Sequence, residues 1–63
     1  MKGIIKFYNV TKSFGFIKVE GQKDIFFHKS SLEKGYIPED DDYVEFRVTQ
    51  TERGQAAADV VKI

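Results

Sequence analysis

Apolar and polar residues alternate along most of this chain, and the alternation is interrupted by turn-forming residues rather than by helical periods. Tyr43 to Thr51 shows it most cleanly, with Val44, Phe46 and Val48 in one phase and Glu45, Arg47 and Thr49 in the other. Side chains of a strand alternate between its two faces, so this segment predicts a strand with one buried side. Phe14 to Glu20 and Asp24 to His28 read the same way, joined by Gly21-Gln22-Lys23, a short hairpin connection in which glycine supplies a positive φ. Gly3 to Tyr8 and Gln55 to Ile63 complete five predicted strands, and Ala56, Ala58 and Val60 share a face of the last. Asn9 to Lys12 and Glu52-Arg53-Gly54 are turns, and Lys34 to Asp42, with Gly35 and Pro38, is a loop. Ser30-Ser31-Leu32-Glu33 predicts one helical turn capped by a serine hydroxyl. There is no repeat. Three hairpin-linked strands, a longer crossover and two more strands predict a small closed or nearly closed barrel, which removes adhesive edges. Strand count alone leaves an SH3-like barrel open.

The faces of the second and third strands differ from those of the fourth. In one, Phe14, Phe16 and Lys18 oppose Gly15, Ile17 and Val19; in the other, Asp24, Phe26 and His28 oppose Ile25 and Phe27. Each strand therefore has an aliphatic side fit for a core and a second side carrying phenylalanine among lysine and histidine. A chain of about 60 residues buries only about 60% of its unfolded surface and has material for one small core. Ile5, Ile17, Val19, Ile25, Phe27, Leu32, Val44, Phe46, Val48, Val60 and Ile63 already supply it. The second phenylalanine face is thus expected to be exposed. Aromatic rings among cations are what a protein uses to stack nucleobases while neutralising phosphates.

Charge changes the picture through its distribution, since the 63 residues sum to zero. Residues 1–34 hold seven lysines and three acids, a net +4; residues 35–63 hold three cations and seven acids, a net −4. Seven of the nine aromatic residues lie in the first 36 positions, so the positive half is also the aromatic half. Such a chain can present a basic patch to nucleic acid and an acidic back to solvent. The acidic run 39–42 lacks glycine and EF-hand spacing and reads as a solvated loop rather than a metal site. The length predicts one domain over residues 1–63. The chain has no cysteine, no signal-peptide apolar stretch and no apolar run of membrane length, so a cytoplasmic location is expected.

His28 is the only histidine and has no second histidine or cysteine with which to complete a metal site. No arrangement around it suggests a catalytic triad, and no glycine-rich phosphate loop is present. No enzymatic activity, cofactor or small-molecule substrate is expected. Between Phe26 and Lys29, His28 is read as a stacking or hydrogen-bonding ring.

Three segments, Lys6-Phe7-Tyr8-Asn9, Lys12-Ser13-Phe14-Gly15-Phe16-Ile17 and Ile25-Phe26-Phe27-His28-Lys29-Ser30, resemble in order and spacing the cold-shock domain family and its two ribonucleoprotein-type motifs. The resemblance runs essentially end to end, through Val44-Glu45-Phe46 and Arg53-Gly54. It implies an all-β chain folded as a five-stranded antiparallel OB-type barrel. It also implies a monomeric, sequence-tolerant binder of single-stranded RNA and DNA that acts as an RNA chaperone. Carried over by position, the binding surface falls on Lys6, Phe7, Lys12, Phe14, Phe16, Phe26, His28 and Tyr36, with Asp24 and Arg53 at its border. Lys18 and Lys29 join Lys6 and Lys12 as phosphate contacts. Phe7 departs from strict alternation, which would place it inward beside Ile5, so the resemblance requires a bulge in the first strand. Other departures are Phe7 where the family has tryptophan, Ser13 where it has glycine, and Lys29 where an aromatic often follows the motif histidine. Asp40-Asp41-Asp42 replaces a glycine before the fourth strand, and Gln55 follows Arg53-Gly54 where proline is usual. The competing reading is a protein-interaction module of SH3-like type using the same patch. Protein interfaces are depleted in lysine, and this patch is rich in it.

Overall fold

A computed structural model describes residues 1–63. Five strands, β1 (Lys2–Asn9), β2 (Phe14–Lys18), β3 (Ile25–His28), β4 (Tyr43–Thr51) and β5 (Gly54–Lys62), form a closed barrel in the order β1-β2-β3-β5-β4. Neighbours pair antiparallel except where the ring closes: β3 meets β5 in parallel, with Phe26 in register with Ala56. A parallel bridge between Leu32 and Val60 extends that seam.

The interior is built by the predicted aliphatic phases. Ile5, Ile17, Val19, Ile25, Phe27, Val44, Phe46, Ala57 and Val60 are buried together, with Tyr8, Leu32, Tyr36 and Val48 packed partly against them. Gly15 is inside because nothing larger fits: a Cβ there would strike the Phe7 carbonyl oxygen and lie 2.7 Å from the Phe27 ring. Phe27 in turn stacks on Tyr8, with centroids 5.8 Å apart.

Two bulges shift the alternation. The register between β1 and β2 slips between Ile5 and Phe7, which turns Phe7 outward as the family resemblance requires. A second slip separates Glu45/Val61 from Arg47/Ala58, placing one extra residue, Asp59 at φ 51°, in β5. This corrects the expectation for the last strand. Ala57 and Val60 are buried across the bulge, whereas Ala58 is only half-buried. Ile63, expected in the core, is 55% exposed, because its odd separation from Val60 puts it on the opposite face.

The predicted helical turn is a short 3-10 helix at Lys29–Ser31, and its cap is not a serine hydroxyl. The His28 ring does that work: Nδ1 accepts from the Ser30 amide at 3.1 Å. The acidic loop ends by pairing with β1. Ile5 donates to the Asp42 carbonyl at 2.8 Å, and Asp41 donates to the Ile5 carbonyl at 2.9 Å. Asp41 makes this turn at φ 72°, a left-handed conformation that aspartate tolerates better than most residues with a Cβ.

Candidate nucleic-acid interface

Strand register assembles the outer face in two rows. Phe7 pairs with Phe16 and Phe16 with Phe26 across β1, β2 and β3; one step along, Asn9 pairs with Phe14 and Phe14 with His28. Paired residues on one face of a sheet have their side chains in contact range, and the rings do meet. Phe14 and Phe26 lie nearly parallel at 5.9 Å. Phe16 stands edge-on to Phe14 at 6.1 Å and to Phe26 at 5.9 Å. Phe7 joins from the bulge, 5.6 Å from Phe16 and 6.2 Å from Phe14. Offset and edge-to-face pairs contribute about 0.5–1.5 kcal/mol beyond burial. The four rings therefore hold one another in place. Of the face expected to be exposed, Phe7 is 37% exposed, while Phe14, Phe16 and Phe26 are half-buried, each packed against other rings of the cluster.

The cations are arranged around this platform unequally. Lys12 and Lys29 are exposed at the same end of the sheet, where the Lys29 amide donates to the Ser13 carbonyl at 2.9 Å. The turn before them is tied by Asn9: its side-chain oxygen accepts from the Lys12 amide at 3.0 Å, and its carbonyl accepts from the Ser13 amide at 2.8 Å. Ser13 closes the turn at φ 61°, a left-handed conformation that penalises any residue with a Cβ, so replacing the family's glycine here carries a cost. Lys6 is not free. Its ammonium donates to the Asp24 carboxylate at 2.7 Å, linking β1 to the residue before β3. Both partners remain substantially solvated, so the pair is worth at most about 1 kcal/mol.

His28 is exposed at the edge of the platform. With Nδ1 accepting from the Ser30 amide, the neutral ring carries its proton on Nε2, a donor suited to a base edge. Arg53 sits in the β4–β5 turn, exposed, three residues before Ala56 beside Phe26. Lys18 is exposed one strand step beyond Phe16, away from the clustered rings.

Tyr36, also a predicted contact, is half-buried and tied to the acidic loop. Its ring packs against the core and its hydroxyl donates to the Asp42 carboxylate at 2.7 Å. Burial, followed by that bond and the nearby charges of Asp42 and Glu39, pushes its ionisation far above the usual tyrosine range. The bond from Tyr36 and another from the Glu39 amide at 3.1 Å hold the Asp42 carboxyl below its usual value, against a smaller opposing effect of burial. Alternation has no purchase on Tyr36, which lies in a loop.

Comparison with known proteins agrees with this geometry. A family model described as the 'Cold-shock' DNA-binding domain matches residues 1–63. Cold shock protein CspA of Staphylococcus saprophyticus is 45% identical over 98% of this chain and 97% of its own length. Cold shock protein CspA of Staphylococcus aureus strain USA300 is similar to the same extent. Among solved structures, drosophila Unr CSD456 superposes with a TM-score of 0.77 at 28% identity, over 98% of this chain; the chain spans 26% of that protein's length. A motif set in register, an outer aromatic face on a five-stranded barrel and near-complete coverage by these relatives lead to one assignment. The chain belongs to the cold-shock domain family of nucleic-acid-binding proteins.

Proposed function

We propose that this protein binds single-stranded RNA and DNA with little sequence preference and melts weak RNA secondary structure without ATP. The observation that carries the reading is the mutually supported set of Phe7, Phe14, Phe16 and Phe26 on one outer face, Phe7 exposed and the other three half-buried, rimmed by the exposed Lys12, Lys29 and His28. Bases stack on the rings, and each stacked base is worth about 1–3 kcal/mol with little dependence on identity, because every base has a π-face. Lysine ammoniums meet the phosphates, and His28 Nε2–H and Arg53 add polar contacts at the border. A flat platform reaches only unpaired bases. Binding the open strand and not the duplex shifts the folding equilibrium of RNA by mass action alone. Titration of labelled oligo-dT, of the matched duplex and of an RNA hairpin tests the proposal. Preference for the single strand is expected; equal affinity for the hairpin stem and its unpaired strand would remove the chaperone reading.

A further inference from the structure

The outer face of the barrel does not end at the phenylalanines. Beyond Phe16, the next outward residue of β2 is Lys18, whose register partner on β1 is Ile4; Ile4 in turn pairs with Tyr43 on β4. The Ile63 amide donates to the Tyr43 carbonyl at 3.1 Å, bringing the end of the chain alongside. Lys18, Ile4, Tyr43 and Ile63 thus form one row across the barrel, flooring a groove of about 310 Å³ with Lys2 and Glu20 at its rim. Tyr43 is 63% exposed and Ile63 55%, and neither has a side-chain partner that covers it.

We infer that this groove is a further subsite for single-stranded nucleic acid, in which Tyr43 stacks a base of the strand leaving the phenylalanine platform. The inference rests on the single-strand reading given above. Continuity favours this occupant. Lys18 lies one side-chain repeat from Phe16 on the same face of the same strand, about 6.6 Å along it. A strand lying over Phe7 and Phe16 and running along β1 and β2 therefore reaches Ile4 and Lys18 without changing face. The chemistry fits a base with its sugar: one aromatic ring, two aliphatic walls, and lysines at two corners. Charge in the groove nearly cancels, since Glu20 shares its rim and Glu45 stands opposite Lys2 in the β1–β4 ladder. The subsite therefore acts through stacking and leaves the salt dependence of binding almost unchanged.

Strand length separates this subsite from the platform. Oligo-dT of about four and about ten nucleotides spans the lower range of OB-fold sites. Tyr43→Ser should weaken binding of the longer strand about fivefold or more, change that of the shorter less than twofold, and leave the thermal midpoint in place. Tyr43→Phe should keep the affinity of the parent while the quenching of tyrosine emission by the longer strand falls. Equal losses on both lengths, or no loss on the longer, overturns the subsite. A change in sedimentation of the free protein with unaltered oligonucleotide affinity also overturns it, in favour of a contact between copies. Failure of the parent to bind either length would instead count against single-strand binding itself.

Discussion

Neighbouring phenylalanines in β3 have opposite duties. Phe26 lies in the outer cluster and Phe27 is fully buried beneath Gly15 and Tyr8. Phe26→Ala or Phe16→Ala should cost about 1–3 kcal/mol of oligonucleotide binding. Phe27→Ala should cost about 3–5 kcal/mol of folding stability, more than either outer substitution. Denaturant unfolding beside binding titrations reads both, and a milder stability loss for Phe27→Ala would invert the faces. Ser13 makes a separate prediction. Its φ of 61° is left-handed, a conformation costing a residue with a Cβ about 1–2 kcal/mol, part of which the extra unfolded-state freedom of glycine cancels. Ser13→Gly should raise stability by about 1 kcal/mol, seen as a higher denaturation midpoint with unchanged slope. The faces of Phe14, Phe16, Phe26 and Phe27 were legible in the sequence because two-residue alternation records them directly. The cap made by His28 was not. A histidine ring caps a turn only when the chain reverses so that Nδ1 meets the Ser30 amide, and no spacing signals that.

At the scale of elements, alternation predicted β2, β3 and β4 well and failed wherever a strand carries an extra residue. Asp59 shifts the phase of β5, so Ala57 rather than Ala58 is interior, and a period of two has no means of registering the insertion. The bulge in β1 was anticipated only because family resemblance demanded that Phe7 face outward. Loops are illegible for a related reason: their side chains follow tertiary partners. Tyr36 and Asp42 show this, joined across a loop that sequence reads as merely solvated. Their bond makes the element sensitive to pH at both extremes. Asp42 is held below its usual value, so its contribution is present above the ordinary carboxylate range and lost as pH falls through the lowered folded value. Tyr36 is raised, so its contribution is complete below the ordinary tyrosine value near 10 and lost only as pH rises through the higher folded one. Tyr36→Phe should bring the Asp42 titration back toward the ordinary range, and acid unfolding should begin at higher pH. Carboxyl NMR titration and unfolding midpoints between about pH 2 and 7 check this. An unmoved Asp42 titration would mean the bond does not set it.

Over the whole molecule, zero net charge conceals a basic aromatic half and an acidic half, and binding should sense only the first. Lys12 and Lys29 stand free beside the rings, whereas Lys6 is engaged by Asp24. With about 0.7 per neutralised phosphate, two contacts give a slope of log K against log salt near −1.4. Asp24→Asn releases Lys6, and the slope should steepen to about −2 with tighter binding at low salt. Titrating one oligonucleotide across a salt series for both proteins tests this; a slope near zero would make the lysines bystanders. The shallow slope also means that stacking should leave measurable affinity at high salt.

The seam between β3 and β5 carries one more implication. β5 borders both β3 and β4, and its register with Phe26 closes the ring in parallel. Synthesis delivers this strand after the other four. A growing chain that has made only β1 to β4 leaves two strand edges unpaired, one of them the edge of β3, which carries Phe26. Such edges pair readily with other chains. Pairing of β5 with β3 and β4 covers both edges and sets Ala56 beside Phe26, so the same contact that closes the ring also backs the outer aromatic row.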